Sequence, residues 1–293
     1  MEKTSANRIV VIGGRGFIGS SLVRVLKNKE LAYLAITKND VDLTDSNSVN
    51  RIADYLSPND FVIATSAITP ARSVEDVIQS LKMINNLVSA IKIVRPKKFL
   101  LISSDSVYGD KGGTFTEDSP CDPSNYHGLA QLGRELTAKQ SGIEELVILR
   151  LCAVYGYGDT HNSYGPNRFM RQINEKKKVT LFGEGLNTRD HVLISDVVAL
   201  VLKVLFSEFT GTLNVASGYS YTFTEVATIC LEKTNSQIGI ESIGSEGLIF
   251  NKIIDISRAK SLFPDYTPLN LGSGISKWIS GNLFNDSDSE GEK

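Results

Sequence analysis

The feature that most constrains this chain is the glycine-rich turn Gly13-Gly14-Arg15-Gly16-Phe17-Ile18-Gly19. It directly follows the apolar run Arg8–Ile12 and opens a segment with apolar residues at helical spacing: Phe17, Ile18, Leu22, Val23, Val25 and Leu26. A strand, a GxxGxxG turn and a helix in this order form the anion-gripping start of a βαβ unit. Gly13 permits the tight turn, Gly16 lets a pyrophosphate approach the backbone, and Gly19 lets the helix pack closely on the sheet. The helix N-terminus favours the bound anion. The turn therefore predicts a dinucleotide site, with Gly13, Arg15, Gly16, Phe17 and Ile18 against the cofactor.

The alternation continues beyond the turn. Leu31–Ile36, Phe61–Ala64, Phe99–Ile102 and Leu146–Leu149 read as buried strands. Residues 47–56, 74–94 and 127–140 read as helices, the first capped by Asp45 or Ser46. After residue 150 the pattern loosens. It still shows a basic helix around 167–176 and a helix over Leu193–Leu205 with Ser195 or Asp196 as cap. A sheet strand at Thr212–Val215 and a helix over 222–232 from Thr222 or Thr224 follow. The expected fold is α/β: a Rossmann, doubly wound parallel sheet over residues 1–156, to which 189–215 return. Residues 157–188 and 216–281 are expected to form a smaller mixed α/β lobe. The acidic, serine-rich tail, 282–293, reads as disordered.

With 293 residues and a net charge of −2, the chain has no basic stripe, which argues against a nucleic-acid partner or an anionic membrane surface. No apolar run reaches spanning length and no signal-peptide pattern is present, so a soluble cytoplasmic protein is expected. Cys121, Cys152 and Cys230 are far apart and read as reduced thiols. His127, His161 and His191 have no metal-ligand spacing, and no metal is expected.

The end of the second strand should read the adenine ribose. An acid there favours NAD, and a basic residue accommodates the 2′-phosphate of NADP. The strand ends Ile36-Thr37-Lys38-Asn39. Lys38 can pair with a 2′-phosphate or stand in solvent, so the cofactor is NAD or NADP, with a slight lean to NADP.

Six segments also follow one another in a familiar order. Val41-Asp42-Leu43-Thr44-Asp45 resembles a DLTD segment, and Asp60-Phe61-Val62-Ile63-Ala64-Thr65-Ser66-Ala67 resembles DVVIHLAA. Ser103-Ser104-Asp105-Ser106-Val107-Tyr108-Gly109 resembles SSxxVYG, and Leu149–Gly156 resembles LRPxNVYG. Arg189–Val197 resembles RDFVHVxDV, and Asn214-Val215-Ala216-Ser217-Gly218 resembles NVGSG. Over about residues 7–280 the chain thus resembles the extended short-chain dehydrogenase/reductases, in their nucleotide-sugar epimerase, dehydratase and reductase branch. The resemblance implies that Thr37, Lys38, Asp42, Leu43, Thr65, Ser66 and Ala67 line the cofactor. It implies a nucleotide-diphosphate sugar in the cleft between two lobes. It also implies a homodimer through helices 74–94 and 127–140, although core packing explains their apolar faces equally well.

Members of that family use a Ser or Thr with a YxxxK pair, and Ser104 fills the first role by position. The segment Thr116–Gln131 aligns without a gap to TEDxPxxPxxxYGxxK and puts His127 at the tyrosine and Gln131 at the lysine. The other register uses Tyr126, but then Ala130 replaces the lysine. An imidazole can exchange protons near neutral pH unaided, and a neighbouring cation would only push its pKa down. Losing both residues together is therefore coherent, with Gln131 left to hydrogen-bond the ribose hydroxyls. Asp105 is a second acid–base candidate or a loop cap. The next residue, Ser106, leaves the dehydratase Asp-Glu pair incomplete. Arg189 and Arg168 are expected on the substrate diphosphate, with Tyr155 and His161 as sugar contacts. Ala153 lacks the amide of the family's asparagine. These assignments imply an enzyme acting through a keto-sugar, by epimerisation or keto reduction, in surface polysaccharide synthesis. The alternative is a catalytically degenerate dinucleotide-binding protein that regulates or scaffolds a partner.

Overall fold

The computed structural model describes residues 7–245 and 247–284. Short apolar strands alternate with amphipathic helices through the first half. These are β1 (Ile9–Ile12), α1 (Phe17–Asn28), β2 (Tyr33–Ile36), α2 (Ser48–Tyr55), β3 (Phe61–Ala64), α3 (Val74–Val94) and β4 (Lys98–Ser104). After a single 3₁₀ turn at Asp105–Tyr108 come β5 (Gly113–Phe115), α4 (Tyr126–Lys139) and β6 (Leu146–Leu151). The second half adds β7 (Ala153–Tyr155), α5 (Pro166–Asn174), β8 (Val179–Phe182), β9 (Thr188–Leu193), α6 (Ile194–Leu205) and β10 (Gly211–Val215). It ends with β11 (Ser220–Thr222), α7 (Phe223–Lys233), β12 (Ile240–Ile243), β13 (Lys252–Ile254), α8 (Ser257–Leu262) and α9 (Leu271–Ile279).

Six strands form one parallel sheet in the order β10-β6-β4-β3-β1-β2. Side chains alternate across it. Ile9 and Val11 of β1 join the cluster containing Leu22, Val25, Val197 and Val201 of α1 and α6. Val10 and Ile12 join Ile52, Ile84, Leu87 and Val88 of α2 and α3 on the other face. Both faces are therefore apolar and helix-covered, as parallel pairing demands. The chain steps outward from β1 to β2, then returns to β3 on the other side. The carboxyl ends of β1 and β3 consequently open a crevice at the point where the winding reverses, the usual ligand position in such sheets.

The remaining strands make three small sheets: β11-β9-β7, β12-β8 and β13-β5. The cap positions differ in two places from the sequence reading. Asn47, not Asp45 or Ser46, precedes α2, and Asp45 instead accepts the Asn47 N–H at 2.9 Å to close the preceding turn. Helix α6 starts at Ile194, so Ser195 and Asp196 lie within its first turn, where Asp196 accepts the Leu269 N–H at 2.8 Å. Thr222 caps α7 in a reciprocal box with Glu225. Helix α3 is long and apolar enough to cross a membrane by length and composition, but it buries Ile84, Leu87, Val88 and Ile91 in the core. Leu283 is buried and Phe284 carries the Arg24 guanidinium over its ring, so these two do not belong to a disordered tail. The rest of that tail, 285–293, lies outside the described residues.

Candidate active site

A cleft of about 800 Å³ opens at the reversal point. Its first half is built on the glycine turn. Gly13 has φ +95°, and a Cβ there would stand 2.6 Å from both Thr65 Oγ1 and Ser66 Oγ. A Cβ on Gly19 would lie 2.2 Å from the Gly13 carbonyl oxygen, so only glycine lets α1 sit this close to the turn. Helix α1 has no acidic residue in its first turn and no capping side chain, which leaves its positive end to an anion. Arg15, Gly16, Phe17 and Ile18 line the cleft with Thr65, Ser66 and Ala67. A dinucleotide fits this cradle, with its pyrophosphate against the start of α1.

At the far end, Thr37, Lys38, Asp42 and Leu43 line the same cleft. Asp42 accepts the Thr44 N–H at 2.9 Å and its hydroxyl at 2.7 Å, and these bonds hold its carboxyl below the usual range. Lys38 is largely exposed, with Nζ 3.5 Å from Asp42. Asp40, an acid just past β2, turns back to accept the Thr37 N–H and hydroxyl, which ties its carboxylate into the turn.

The other half lies where β4 ends against α4. Ser104 Oγ accepts the Ser106 N–H at 3.2 Å and the Ser106 hydroxyl at 2.9 Å, and donates to Asp105 at 3.4 Å. Asp105 is fully buried, with Arg189 at 2.9 Å and Lys252 at 3.2 Å. Burial resists its ionisation, but the two cations outweigh burial and hold the carboxyl below its ordinary range. Asp105 is therefore held as a carboxylate, the counter-charge of Arg189 and Lys252. His127, in the first turn of α4, lines the cleft and has a buried Nδ1 without a hydrogen-bond partner. Burial first, opposed by Asp105 and reinforced by Arg134 and Arg189, pushes its pKa below 6.5. The imidazole is thus neutral at neutral pH and able to accept a proton. The family's lysine is absent, yet Arg134 and Arg189 still act electrostatically on His127.

Residues 9–216 match the NAD-dependent epimerase/dehydratase family. The chain belongs to that family. It is 27% identical over 248 residues to the spore coat polysaccharide biosynthesis protein SpsK of Bacillus subtilis, covering 82% of this chain and 83% of the relative. It is 30% identical over 255 residues to an ADP-L-glycero-D-manno-heptose-6-epimerase of Pseudomonas paraeruginosa, covering 75% and 76%. A UDP-glucuronic acid 4-epimerase of Bacillus cereus, solved with UDP-glucuronic acid and NAD, superposes with a TM-score of 0.76 at 23% identity, covering 94% of this chain and 98% of that one.

For a member of the epimerase/dehydratase family, the cleft gathers most of the residues singled out in the sequence. Ser104, Asp105, His127, Gln131, Arg189 and His161 all line it, His161 from an exposed position. Two do not. Tyr155 is fully buried against Trp278, and its hydroxyl fills the space where a Cβ on Gly274 would be. Arg168 stacks over Tyr164 and Phe182, with its guanidinium carbon 5.8 and 5.6 Å from the ring centres, and is outside the cleft lining. Neither residue lines the cleft in this arrangement.

Three functional neighbours had no sequence signal. Lys252 reaches Asp105 from β13, more than a hundred residues away. Arg134 lies one turn beyond Gln131, where no motif asks for a charge. His191, noted in the sequence only as a non-ligating histidine, is buried beside the cleft, and burial reinforced by Arg189 pushes it down to about 3. It is neutral throughout the physiological range. A histidine titration followed by NMR should place the His127 midpoint below 6.5; a midpoint above 7 would contradict this electrostatic reading.

Proposed function

We propose that this protein is a dinucleotide-dependent enzyme acting on a nucleotide-diphosphate sugar, as an epimerase or keto-reductase working through a keto-sugar. The observation that carries this reading is that the His127 imidazole and Ser104 line the same cleft that the glycine turn begins. The bound nicotinamide would supply hydride transfer. Ser104 donates a hydrogen bond to the reacting sugar oxygen. His127 Nε2 takes the hydroxyl proton as the alcohol becomes a ketone and returns it on reduction. Gln131 offers its amide to the ribose hydroxyls. Arg189, at the mouth of β9 and pinned by Asp105, meets the diphosphate. The substrate side of the cleft would be furnished by a smaller lobe of residues 157–188 and 216–281, and the similarity to SpsK suggests a role in surface polysaccharide synthesis.

A substrate-facing acid–base group favours an enzyme over a bare dinucleotide sensor, which needs neither a poised imidazole nor a diphosphate arginine. With a panel of UDP-, dTDP- and ADP-hexoses and either dinucleotide, the protein should turn over at least one sugar nucleotide. His127→Ala should lower kcat by at least about a hundredfold with dinucleotide affinity nearly unchanged. Undiminished turnover in that variant removes His127 from the mechanism.

Either NAD or NADP fits the adenosine end. Lys38 and Arg15 line it, and its one lining acid, Asp42, is already engaged by Thr44 and Lys38. NADP is therefore expected to bind at least as tightly as NAD, and Lys38→Ala should weaken NADP about tenfold while sparing NAD. Clearly tighter NAD binding, unaffected by that substitution, would reverse the assignment.

Helices α3 and α4 pack side by side and leave Val74, Ile78, Leu129 and Leu136 exposed. This apolar face suits a second copy of the chain, in a homodimer. Analytical ultracentrifugation should show a dimer that Leu129→Glu dissociates; a monomeric wild type contradicts it.

A further inference from the structure

The stripe His127, Gln131, Arg134 runs along one face of α4 toward the ends of β3 and β4. Its last member is unusual. Arg134 is 3% exposed, yet among the described residues no carboxylate lies within ion-pair distance of it. Its three hydrogen bonds all go to neutral oxygens: the Ile102 carbonyl at 3.1 Å, the Ser66 carbonyl at 3.0 Å and Gln131 Oε1. The adjacent Glu135 is spoken for by Arg150, Ser103 and Lys139. Buried charges are ordinarily paired, because an isolated one is costly to desolvate. A guanidinium has five N–H donors and no acceptor. It therefore fixes the orientation of Gln131, whose oxygen must face Arg134 and whose NH₂ is left to face the cleft. Both Arg134 and Ser66 line that cleft with Gln131 and His127.

The sign of this charge has a chemical consequence. An oxidised nicotinamide ring is a cation and its reduced form is neutral. A fixed positive charge near the ring opposes the first and spares the second. We propose that Arg134 is a positioning residue that biases the bound dinucleotide toward its reduced form and holds the Gln131 amide toward the nicotinamide ribose. The proposal rests on the dinucleotide reading of the cleft. Hydride passes with its electron pair from the sugar carbon to the nicotinamide ring, the hydroxyl proton passes to His127, and Arg134 exchanges nothing. Its charge favours the step in which the ring loses its own.

The test is a pair of dissociation constants, measured by calorimetry for the oxidised and reduced forms of whichever dinucleotide the wild type binds. The wild type should bind the reduced form more tightly. Arg134→Gln keeps a planar donor without the charge, and should lower the ratio of oxidised to reduced dissociation constants about tenfold. The double variant Gln131→Lys/Arg134→Gln returns a cation to the same face of α4 and should restore the ratio. Arg134→Met, which fills the volume without a stranded dipole, gives the same readout should the glutamine variant fail to fold. A folded variant with an unchanged ratio, or a lysine at 131 that restores stability without restoring the ratio, overturns the proposal. A wild type that binds neither dinucleotide overturns the cofactor reading itself, and this inference with it.

Discussion

The site depends on one buried carboxylate. Glu135, in α4, accepts the Ser103 hydroxyl at 2.6 Å from β4 and the Arg150 guanidinium at 2.7 Å from β6. Arg150 passes the link on to the Tyr108 hydroxyl at 3.0 Å and the Glu117 carbonyl at 3.2 Å. Tyr108 in turn donates to Asn214 on β10. Helix α4 carries His127, Gln131 and Arg134, and β4 carries Ser104, so this network sets the register between His127 and Ser104. Removing one member of such a buried pair strands the other and costs about 3–5 kcal/mol. The network thus connects packing in the floor of the sheet with the geometry of the cleft above it.

Charge is distributed unevenly along that cleft. Asp105 is held ionised by Arg189 and Lys252, with Lys252 also donating to the Asp105 and Gly109 carbonyls. Those bonds fix the 3₁₀ turn that follows Ser104 and give Arg189 a defined direction. Burial and neighbouring cations keep His127 and His191 neutral. In the proposed mechanism the proton-accepting group is therefore the imidazole and not the carboxylate, and both line the cleft with Ser104. An aspartate beside Ser104 reads as an acid until its two counter-ions are seen.

Much of this was legible in the sequence. The strands of the main sheet and the helices that cover it follow from hydrophobic period, because parallel strands buried on both faces read as continuous apolar runs. The glycine turn was legible for a steric reason that the structure makes explicit at Gly13 and Gly19. The three small sheets were not legible. Strands such as Ala153–Tyr155 and Ser220–Thr222 are three residues long and carry no usable alternation. Tyr155 sits in a motif that resembles a substrate segment, yet the close approach of α9 at Gly274 makes its ring part of the core. Lys252 and Arg134 could not be found by spacing, because each acts through a contact that only the folded chain creates. The family's missing lysine at position 131 pointed to an uncharged site, and the structure places a buried cation one turn away.

The proposed mechanism couples a sugar alcohol to a nicotinamide through His127. The most direct measurement mixes the protein and its dinucleotide with each sugar nucleotide of the panel under single-turnover conditions and follows the nicotinamide absorbance. A change in the nicotinamide redox state is expected with at least one sugar nucleotide, transient for an epimerase and lasting for a reductase supplied with the reduced form. Bound dinucleotide and bound sugar nucleotide with no change in nicotinamide absorbance would contradict it.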